Sequence, residues 1–109
     1  MPDSKPVHVH CTYRVKPGKE AEFLVYLEKH WPTLQKAGLS TDDPPTILRC
    51  ITREKKTVFV ELMTWKDETS PRIAHETPAV MQVWEPMGAL CEDMEFNDYE
   101  PVAMNFARS

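Results

Sequence analysis

The chain has 109 residues, of which 41% are hydrophobic and 28% are charged, and its formal net charge is −4. This length predicts a single domain over residues 1–109 with one hydrophobic core. The acidic balance argues against a nucleic-acid partner, because such proteins usually carry a basic patch. No uncharged run approaches the length of a membrane span, and residues 1–6 lack the apolar segment of a signal peptide. We therefore expect a cytoplasmic protein without a membrane partner.

Three cysteines, Cys11, Cys50 and Cys91, lie far apart and form no CxxC pair. A secreted disulfide framework usually has an even, dense set of cysteines, and a zinc knuckle needs closely spaced thiols. We therefore expect three buried free thiols.

The first predicted strand begins at Val7, after a loose N-terminal end at residues 1–6. Apolar and polar residues then alternate, which is typical of a strand with one buried face. One side carries Val7, Val9, Cys11, Tyr13 and Val15, and the other carries His8, His10, Thr12 and Arg14. Pro17-Gly18 ends this strand.

The first predicted helix covers residues 19–36. Its apolar residues recur at steps of three and four, as on one buried helix face: Phe23, Leu24, Leu27, Trp31 and Leu34. Pro32 lies inside this pattern and lacks a backbone N–H, so we expect a kink or an early end near Glu28. Gly38 is the expected C-terminal stop.

Two further strands are predicted at residues 46–53 and 57–66, joined by a turn at 54–56. The strand predicted at residues 57–66, the third in the chain, is apolar on both faces. One face carries Val58, Val60 and Leu62, and the other carries Phe59, Met63 and Trp65, with Glu61 among them. Two apolar faces indicate that both sides of the sheet are covered.

The remaining segment predicts two helices and a strand. Ser70-Pro71 and Thr77-Pro78 each combine a capping residue with a proline at the first helical position, which predicts helices at 71–76 and 78–92. A last strand is expected between Met94 and Val102. We interpret the acidic residues at 92, 93 and 95 as a solvated helix end. The tail from residue 103 is either ordered against a partner or disordered.

The predicted order is β-α-β-β-α-α-β, and three local patterns accompany it. They are Val15-Lys16-Pro17-Gly18-Lys19-Glu20, then Phe59-Val60-Glu61-Leu62 with Trp65-Lys66-Asp67, and finally Ala74-His75-Glu76-Thr77-Pro78. Together they resemble the antibiotic-biosynthesis monooxygenase family over about residues 7–102. The resemblance implies an α+β fold of the ferredoxin-like dimeric α/β-barrel kind, with helices on one face of a four-stranded antiparallel sheet.

A sheet with helices on one face has a second face to cover. Whichever apolar face of the third strand packs on the helices, the other is left over. In the family that the chain resembles, two sheets pair in this position. We therefore expect a homodimer through the sheet face.

The resemblance also implies a chemistry. Some members of the family oxidise phenolic or quinol compounds with molecular oxygen, without a metal or other cofactor. Such a site needs an apolar pocket and a group that accepts a proton. His75 matches a histidine common in the family and is the candidate catalytic residue. Trp65, Trp84 and Tyr13 are the candidate substrate-binding residues, and the expected ligand is a small aromatic molecule. Trp31 is expected to be structural.

Three other interpretations remain open. The first is a non-catalytic dimeric module that binds a small molecule. A haem-binding or haem-degrading relative would use His75 and Trp65, but the first strand lacks the asparagine that such relatives have. His8 and His10 point to the same side of a strand, as metal-binding pairs do. A third ligand could come from His75, Glu61 or Asp98, but the spacing selects none of them, and we expect no metal.

Overall fold

The computed structural model describes residues 5–107 and contains one four-stranded antiparallel sheet. The strand order across the sheet is β2-β3-β1-β4. The elements follow the chain order β1 (Val7–Val15), α1 (Glu20–Lys36), β2 (Thr46–Ile51), β3 (Thr57–Trp65), α2 (Ser70–His75), α3 (Pro78–Ala89) and β4 (Cys91–Tyr99). The fold class and element order predicted from the sequence are confirmed.

Helix α1 continues past its proline. The helix predicted over residues 19–36 is confirmed, since α1 spans Glu20–Lys36, and the early end near Glu28, one of the two effects expected of Pro32, does not occur. An interior proline costs roughly 3 kcal/mol, but Pro32 is exposed while His30 and Leu34 on either side of it are buried. The packing of that buried face offsets the missing hydrogen bond. The predicted stop is confirmed, since Gly38 follows the helix with a φ of +75° that a residue with a side chain rarely adopts.

The inner face of the sheet packs on the helices. Strand pairing sets Val9 opposite Met63, Cys11 opposite Glu61 and Tyr13 opposite Phe59, and directly opposed residues lie on the same face. Apart from Glu61, these side chains belong to the buried hydrophobic core together with Phe23, Leu27 and Leu34 of α1 and Val80, Val83 and Met87 of α3.

The outer face of the sheet carries the alternate residues. We define it by Leu48 and Cys50 of β2, Val58, Val60 and Leu62 of β3, and His8 and His10 of β1. None of these residues belongs to the hydrophobic core cluster. The ring of His8 is hydrogen-bonded through Nδ1 to Thr64 Oγ1 at 2.9 Å. Among the described residues, no cluster of three or more His, Cys, Asp or Glu side chains is arranged to bind a metal ion.

The segment after β3 differs in detail from the sequence prediction. Helix α2 begins at Ser70, which does not cap it. Asp67 Oδ1, before the helix, accepts hydrogen bonds from the backbone N–H groups of Thr69 and Ser70 at 3.0 Å each. The hydrogen bond from the Thr69 hydroxyl, followed by those from the Ser70 hydroxyl and the two backbone N–H groups, lowers the pKa of Asp67. Residue 67 is a better acceptor than a serine because its carboxylate can accept several bonds at once.

The last strand begins earlier than predicted. Helix α3 ends at Ala89 and β4 starts at Cys91, whereas the sequence placed the helix end near Glu92 and the strand start at Met94. The acidic residues are therefore on a strand and not at a helix end. There Arg14 of the neighbouring β1 donates to Asp93 at 2.7 Å. Pairing between β1 and β4 therefore places these acidic residues on the strand.

The chain ends have little regular structure. Residues 5–6 and 101–107 form no helix or strand, and Val102, Met104 and Phe106 are exposed. The rest of the predicted loose N-terminus, residues 1–4, and the tail residues 108–109 lie outside the described residues. Within residues 5–107, no helix has the length and apolar character needed to cross a membrane.

Candidate functional site

A cavity of about 300 Å³ lies between the inner face of the sheet and the three helices. Its walls are almost wholly apolar. The lining includes these aromatic and methionine side chains: Tyr13, Met63, Trp65, Trp84, Met87, Met94 and Phe96. This volume is at the lower end for small-molecule sites, which span roughly 300–1,000 Å³ and combine apolar walls with few polar groups.

All four residues singled out in the sequence contact this one cavity. Tyr13, Trp65, His75 and Trp84 come from β1, β3, α2 and α3. Trp84 occupies the centre of the group, edge-on to Trp65 with ring centroids 6.2 Å apart and edge-on to His75 with centroids 4.8 Å apart. The fold therefore brings together side chains separated by more than half of the sequence.

His75 lies at the rim. It is the last residue of α2 and its side chain is exposed, although one edge of its ring packs against Trp84. Phe96 and Asp98 of β4 also line the cavity and are exposed. These three side chains define the mouth of the cavity.

A buried hydrogen-bond chain crosses the cavity wall, and two of its members were not selected from the sequence. Tyr13 Oη donates to Glu61 Oε1 at 2.7 Å, and His30 Nδ1 lies 3.0 and 3.1 Å from the two carboxylate oxygens of Glu61. Trp84 Nε1 donates to His30 Nε2 at 2.8 Å. Glu61 is 1% exposed and His30 is 3% exposed, so the carboxylate depends on these donors instead of water.

The hydrogen bonds fix the tautomer of His30. An indole nitrogen can only donate, so Nε2 of His30 accepts and carries no proton. The one proton of the neutral ring is then on Nδ1, where it is donated to Glu61. His30 is thus a neutral imidazole whose single basic nitrogen is covered by the Trp84 indole.

Tyr13 contributes to this chain as a phenol. Burial, followed by the nearby charge of Glu61, raises its pKa well above the ordinary value of 10. Its hydroxyl remains protonated at neutral pH and is already used to donate to Glu61. The part of Tyr13 that a ligand can contact is therefore its ring, and the residue cannot act as a base.

The thiol beside this chain is not a nucleophile. Burial and the charge of Glu61 raise the pKa of Cys11 to about 12, and burial raises that of Cys91 to about 11. A thiol rather than a thiolate is present at neutral pH, and only the thiolate attacks. The prediction of buried free thiols is confirmed for Cys11 and Cys91, whereas Cys50 is half-buried.

Two signals in the sequence could have found the missed residues. Glu61 is the one charged side chain on an otherwise apolar strand face, and His30 falls on the same helix face as Phe23, Leu27 and Leu34. A carboxylate and a histidine on two faces that both point into the core are expected to meet, because each needs a polar partner there. Trp31, by contrast, lies outside the cavity lining and donates to the Thr41 carbonyl at 3.3 Å.

No family model and no curated protein matches this sequence. Solved structures do match. SnoaB, a cofactor-independent oxygenase from Streptomyces nogalater, is 21% identical, with a TM-score of 0.70 over 93% of this chain and 97% of that one. An antibiotic biosynthesis monooxygenase is 14% identical, with a TM-score of 0.66 over 89% of this chain and 99% of that one.

The fold is that of the antibiotic biosynthesis monooxygenases. A NIPSNAP family protein from Agrobacterium tumefaciens also shares it, at 13% identity and a TM-score of 0.66 over 96% of this chain and 93% of that one. Proteins with different names therefore have this architecture, and the function has to be argued from the cavity and its residues.

Proposed function

We propose that this protein is a cofactor-independent, monooxygenase-like member of the antibiotic-biosynthesis monooxygenase family that acts on a small aromatic or quinol compound with molecular oxygen. The observation that carries this proposal is an apolar, aromatic-walled cavity with a buried chain of proton-bearing groups in its wall. The shared fold with the oxygenase SnoaB supports the reaction class.

The chemistry needs little from the protein beyond binding and a proton acceptor. A quinol that loses a phenolic proton becomes an electron-rich anion, and O2 accepts its electrons. For a quinol that becomes a hydroxyquinone, one oxygen atom of O2 replaces a ring hydrogen and the other leaves as water. The substrate supplies all four electrons, so the reaction balances without a reductant.

The cavity residues have three roles in this proposal. Trp65, Trp84 and the ring of Tyr13 hold the aromatic substrate between flat walls. The apolar lining excludes water from the bound substrate, which strengthens the electrostatic interaction between the substrate and nearby charged groups. A histidine accepts the proton, and His75 at the mouth is the residue that the sequence suggests for this step.

The protein is also proposed to be a homodimer through the outer face. Leu48 on this face is 44% exposed and Leu62 is half-buried, and they lie beside Val58 and Val60, which are 8% and 7% exposed within one copy. The helices are on the inner face and leave this apolar strip to a partner. A second copy whose identical strip faces the first would bury it in the manner of a two-fold interface.

The proposed activity is tested by oxygen uptake with 1,4-dihydroxynaphthalene, corrected for oxidation without protein. With ¹⁸O2, we expect one labelled oxygen in the product and one in water. Met87→Trp fills the cavity and should abolish the protein-dependent rate. Val25→Trp, on an exposed position of α1, is the matched control and should retain the rate.

A binding module without catalysis would give a different result. The quinol would then bind with 1:1 stoichiometry in the wild type and fail to bind in Met87→Trp, but oxygen uptake would equal the background. That outcome would overturn the catalytic part of the proposal and support the non-catalytic alternative. Circular dichroism of both tryptophan variants checks that overpacking has not unfolded them.

A further inference from the structure

The cavity contains two histidines in contrasting environments. His75 is exposed at the mouth and packs one ring edge against Trp84. His30 is buried in the wall, between Glu61 on the sheet and Trp84 on α3. An exposed histidine can exchange its proton with water, whereas a buried one acts on what enters the cavity.

His30 has the arrangement of an oriented general base. Its Nδ1–H is held by both oxygens of Glu61, so the ring is fixed and its basic nitrogen, Nε2, points away from the carboxylate. A carboxylate behind a histidine stabilises the imidazolium that forms when the far nitrogen takes a proton. Tyr13 donates to the same carboxylate and stays neutral, so no cation among the described hydrogen-bond partners of Glu61 already balances its charge.

The titratable groups around His30 lie on four of the elements that line the cavity. They are Glu61 on β3, Tyr13 and Cys11 on β1, His75 on α2 and Asp98 on β4. The hydroxyl of Tyr13 and the thiol of Cys11 are protonated, and His75 and Asp98 lie at the mouth. Glu61 is therefore the group in direct contact that can balance a charge on His30.

The indole of Trp84 covers the basic nitrogen. Nε2 has one lone pair, and Trp84 Nε1 occupies it at 2.8 Å. A ligand hydroxyl cannot donate to Nε2 until the indole moves. Trp84 is half-buried and also forms a wall of the cavity, so an aromatic ligand that packs against it contacts the group that has to move.

We infer that His30 is the catalytic base of this cavity, that Glu61 is its positioning residue, and that the Trp84 indole covers Nε2 until an aromatic hydroxyl displaces it. The inference rests on the proposed function and adds a residue to it. In the step, the O–H bond of a phenol breaks, the Nε2–H bond of His30 forms, and the electron pair stays on the phenolate oxygen. Glu61 keeps its hydrogen bond to Nδ1 throughout.

The first test uses 2-naphthol, a phenol that is not a quinol and whose anion absorbs at longer wavelength than the neutral form. We expect wild-type protein to bind it partly as the anion at pH 7. Trp84→Phe removes the covering N–H but keeps an aromatic wall. The ratio of anionic to neutral bound probe should rise about two- to tenfold, which corresponds to the net free energy of one hydrogen bond. Trp31→Phe, which removes an indole outside the cavity, is the matched control and should leave the ratio unchanged.

Changes at His30 and Glu61 should act in the opposite direction. His30→Gln keeps an amide in the wall but removes the base, and the bound probe should remain neutral. Glu61→Gln removes the charge and should lower the anion ratio while His30 remains. In quinol oxidation, His30→Gln should lower the rate by about 10²-fold or more, as loss of a general base does. Two outcomes would overturn the inference. One is that His30→Gln still binds the probe as naphtholate, and the other is that only His75→Gln, and not His30→Gln, loses the bound naphtholate.

A second measurement needs no variant at this buried position. In ¹⁵N spectra of the wild-type imidazoles, the free protein should show His30 with a proton on Nδ1 and none on Nε2. Adding 2-naphthol should protonate both nitrogens. If Nε2 stays unprotonated and hydrogen-bonded to the indole with saturating probe, His30 is not the acceptor.

The two proposals fail separately. Naphtholate formed through His30 without any quinol oxidation would overturn the monooxygenase activity and leave the base in place. Quinol oxidation that does not depend on His30 would overturn the inference and leave the activity in place. A wild-type protein that binds no 2-naphthol would overturn the inference about His30, whereas oxygen uptake with 1,4-dihydroxynaphthalene would still decide the activity.

Discussion

The two faces of strand β3 differ in the hydrogen bonding and the packing of their side chains. On the inner face, Glu61 is surrounded by apolar residues but is fully hydrogen-bonded within the chain. On the outer face, Val60 and Leu62 need no hydrogen bonds, but the strip to which they belong has no helix packed on it. The inner face of β3 is thus buried within one copy and lies beside the cavity, whereas its outer face is proposed to meet a second copy.

The largest effect is expected at Glu61. Glu61→Leu leaves the Tyr13 hydroxyl and the His30 N–H without acceptors, and each buried unpaired group costs about 1–3 kcal/mol. We expect a loss of roughly 2–6 kcal/mol in the free energy of unfolding, measured by urea denaturation. Glu61→Gln keeps one acceptor oxygen and should lose less. Equal losses would show that the carboxylate charge, and not the hydrogen bonds, stabilises this face.

A charged substitution on the outer face should weaken dimer association without changing the stability of the folded monomer. Leu48 is exposed in one copy, so Leu48→Glu should fold normally but place an unpaired charge in the proposed interface, which is costly to bury. We expect at least a roughly tenfold rise in the dimer dissociation constant by sedimentation velocity. Ile51→Glu changes the opposite face of the same strand and should have a smaller effect. Wild-type protein that is monomeric at micromolar concentration would contradict the homodimer.

The cysteines provide a chemical comparison of the same two faces. Because the pKa values of Cys11 and Cys91 are raised to about 12 and about 11, their thiolate fractions at pH 8 are only ~10⁻⁴ and ~10⁻³. Alkylation by iodoacetamide, followed by mass spectrometry, should modify half-buried Cys50 first. The rate at Cys50 should fall as the protein concentration rises into the dimer range. Equal rates for all three thiols would contradict the inner-face burial.

The smallest effect is expected from the ion pair between β1 and β4. Arg14 donates to Asp93 at 2.7 Å, but their side chains are 45% and 59% exposed. Exposed pairs contribute at most about 1 kcal/mol, and salt screens them. Arg14→Ala should therefore lower the urea midpoint only slightly, and the difference from wild type should shrink further in 0.5 M NaCl. A loss comparable with that of Glu61→Leu would contradict this ranking.

Much of the fold could be predicted because its signals are local. The alternation at 7–15 and 57–65 and the three-and-four spacing of α1 follow from which residues each element buries. The errors occurred where a local rule met a tertiary contact. Pro32 favours a helix end, but the buried residues on either side of it keep α1 continuous. The acidic residues at 92, 93 and 95 resemble a solvated helix end in the sequence, but in the structure they lie on β4, where Asp93 pairs with Arg14 of β1.

The candidate site shows the same division. Tyr13, Trp65, His75 and Trp84 could be selected one by one from the sequence, and all four line the cavity. Glu61 was visible as a charge among apolar residues, and His30 as a histidine on an apolar helix face. What could not be read was that they meet, because Glu61 and His30 are 31 residues apart.

By itself, the sequence determined the element order, because each element depends on periodicity along one segment. The resemblance to a known family implied the fold class and the candidate cavity residues Tyr13, Trp65 and Trp84. Only the tertiary structure decided which histidine is buried, which nitrogen carries its proton and which indole covers the other. Those properties arise from contacts between α1, β3 and α3, and a hydrogen bond across three elements leaves no periodic trace in any one of them.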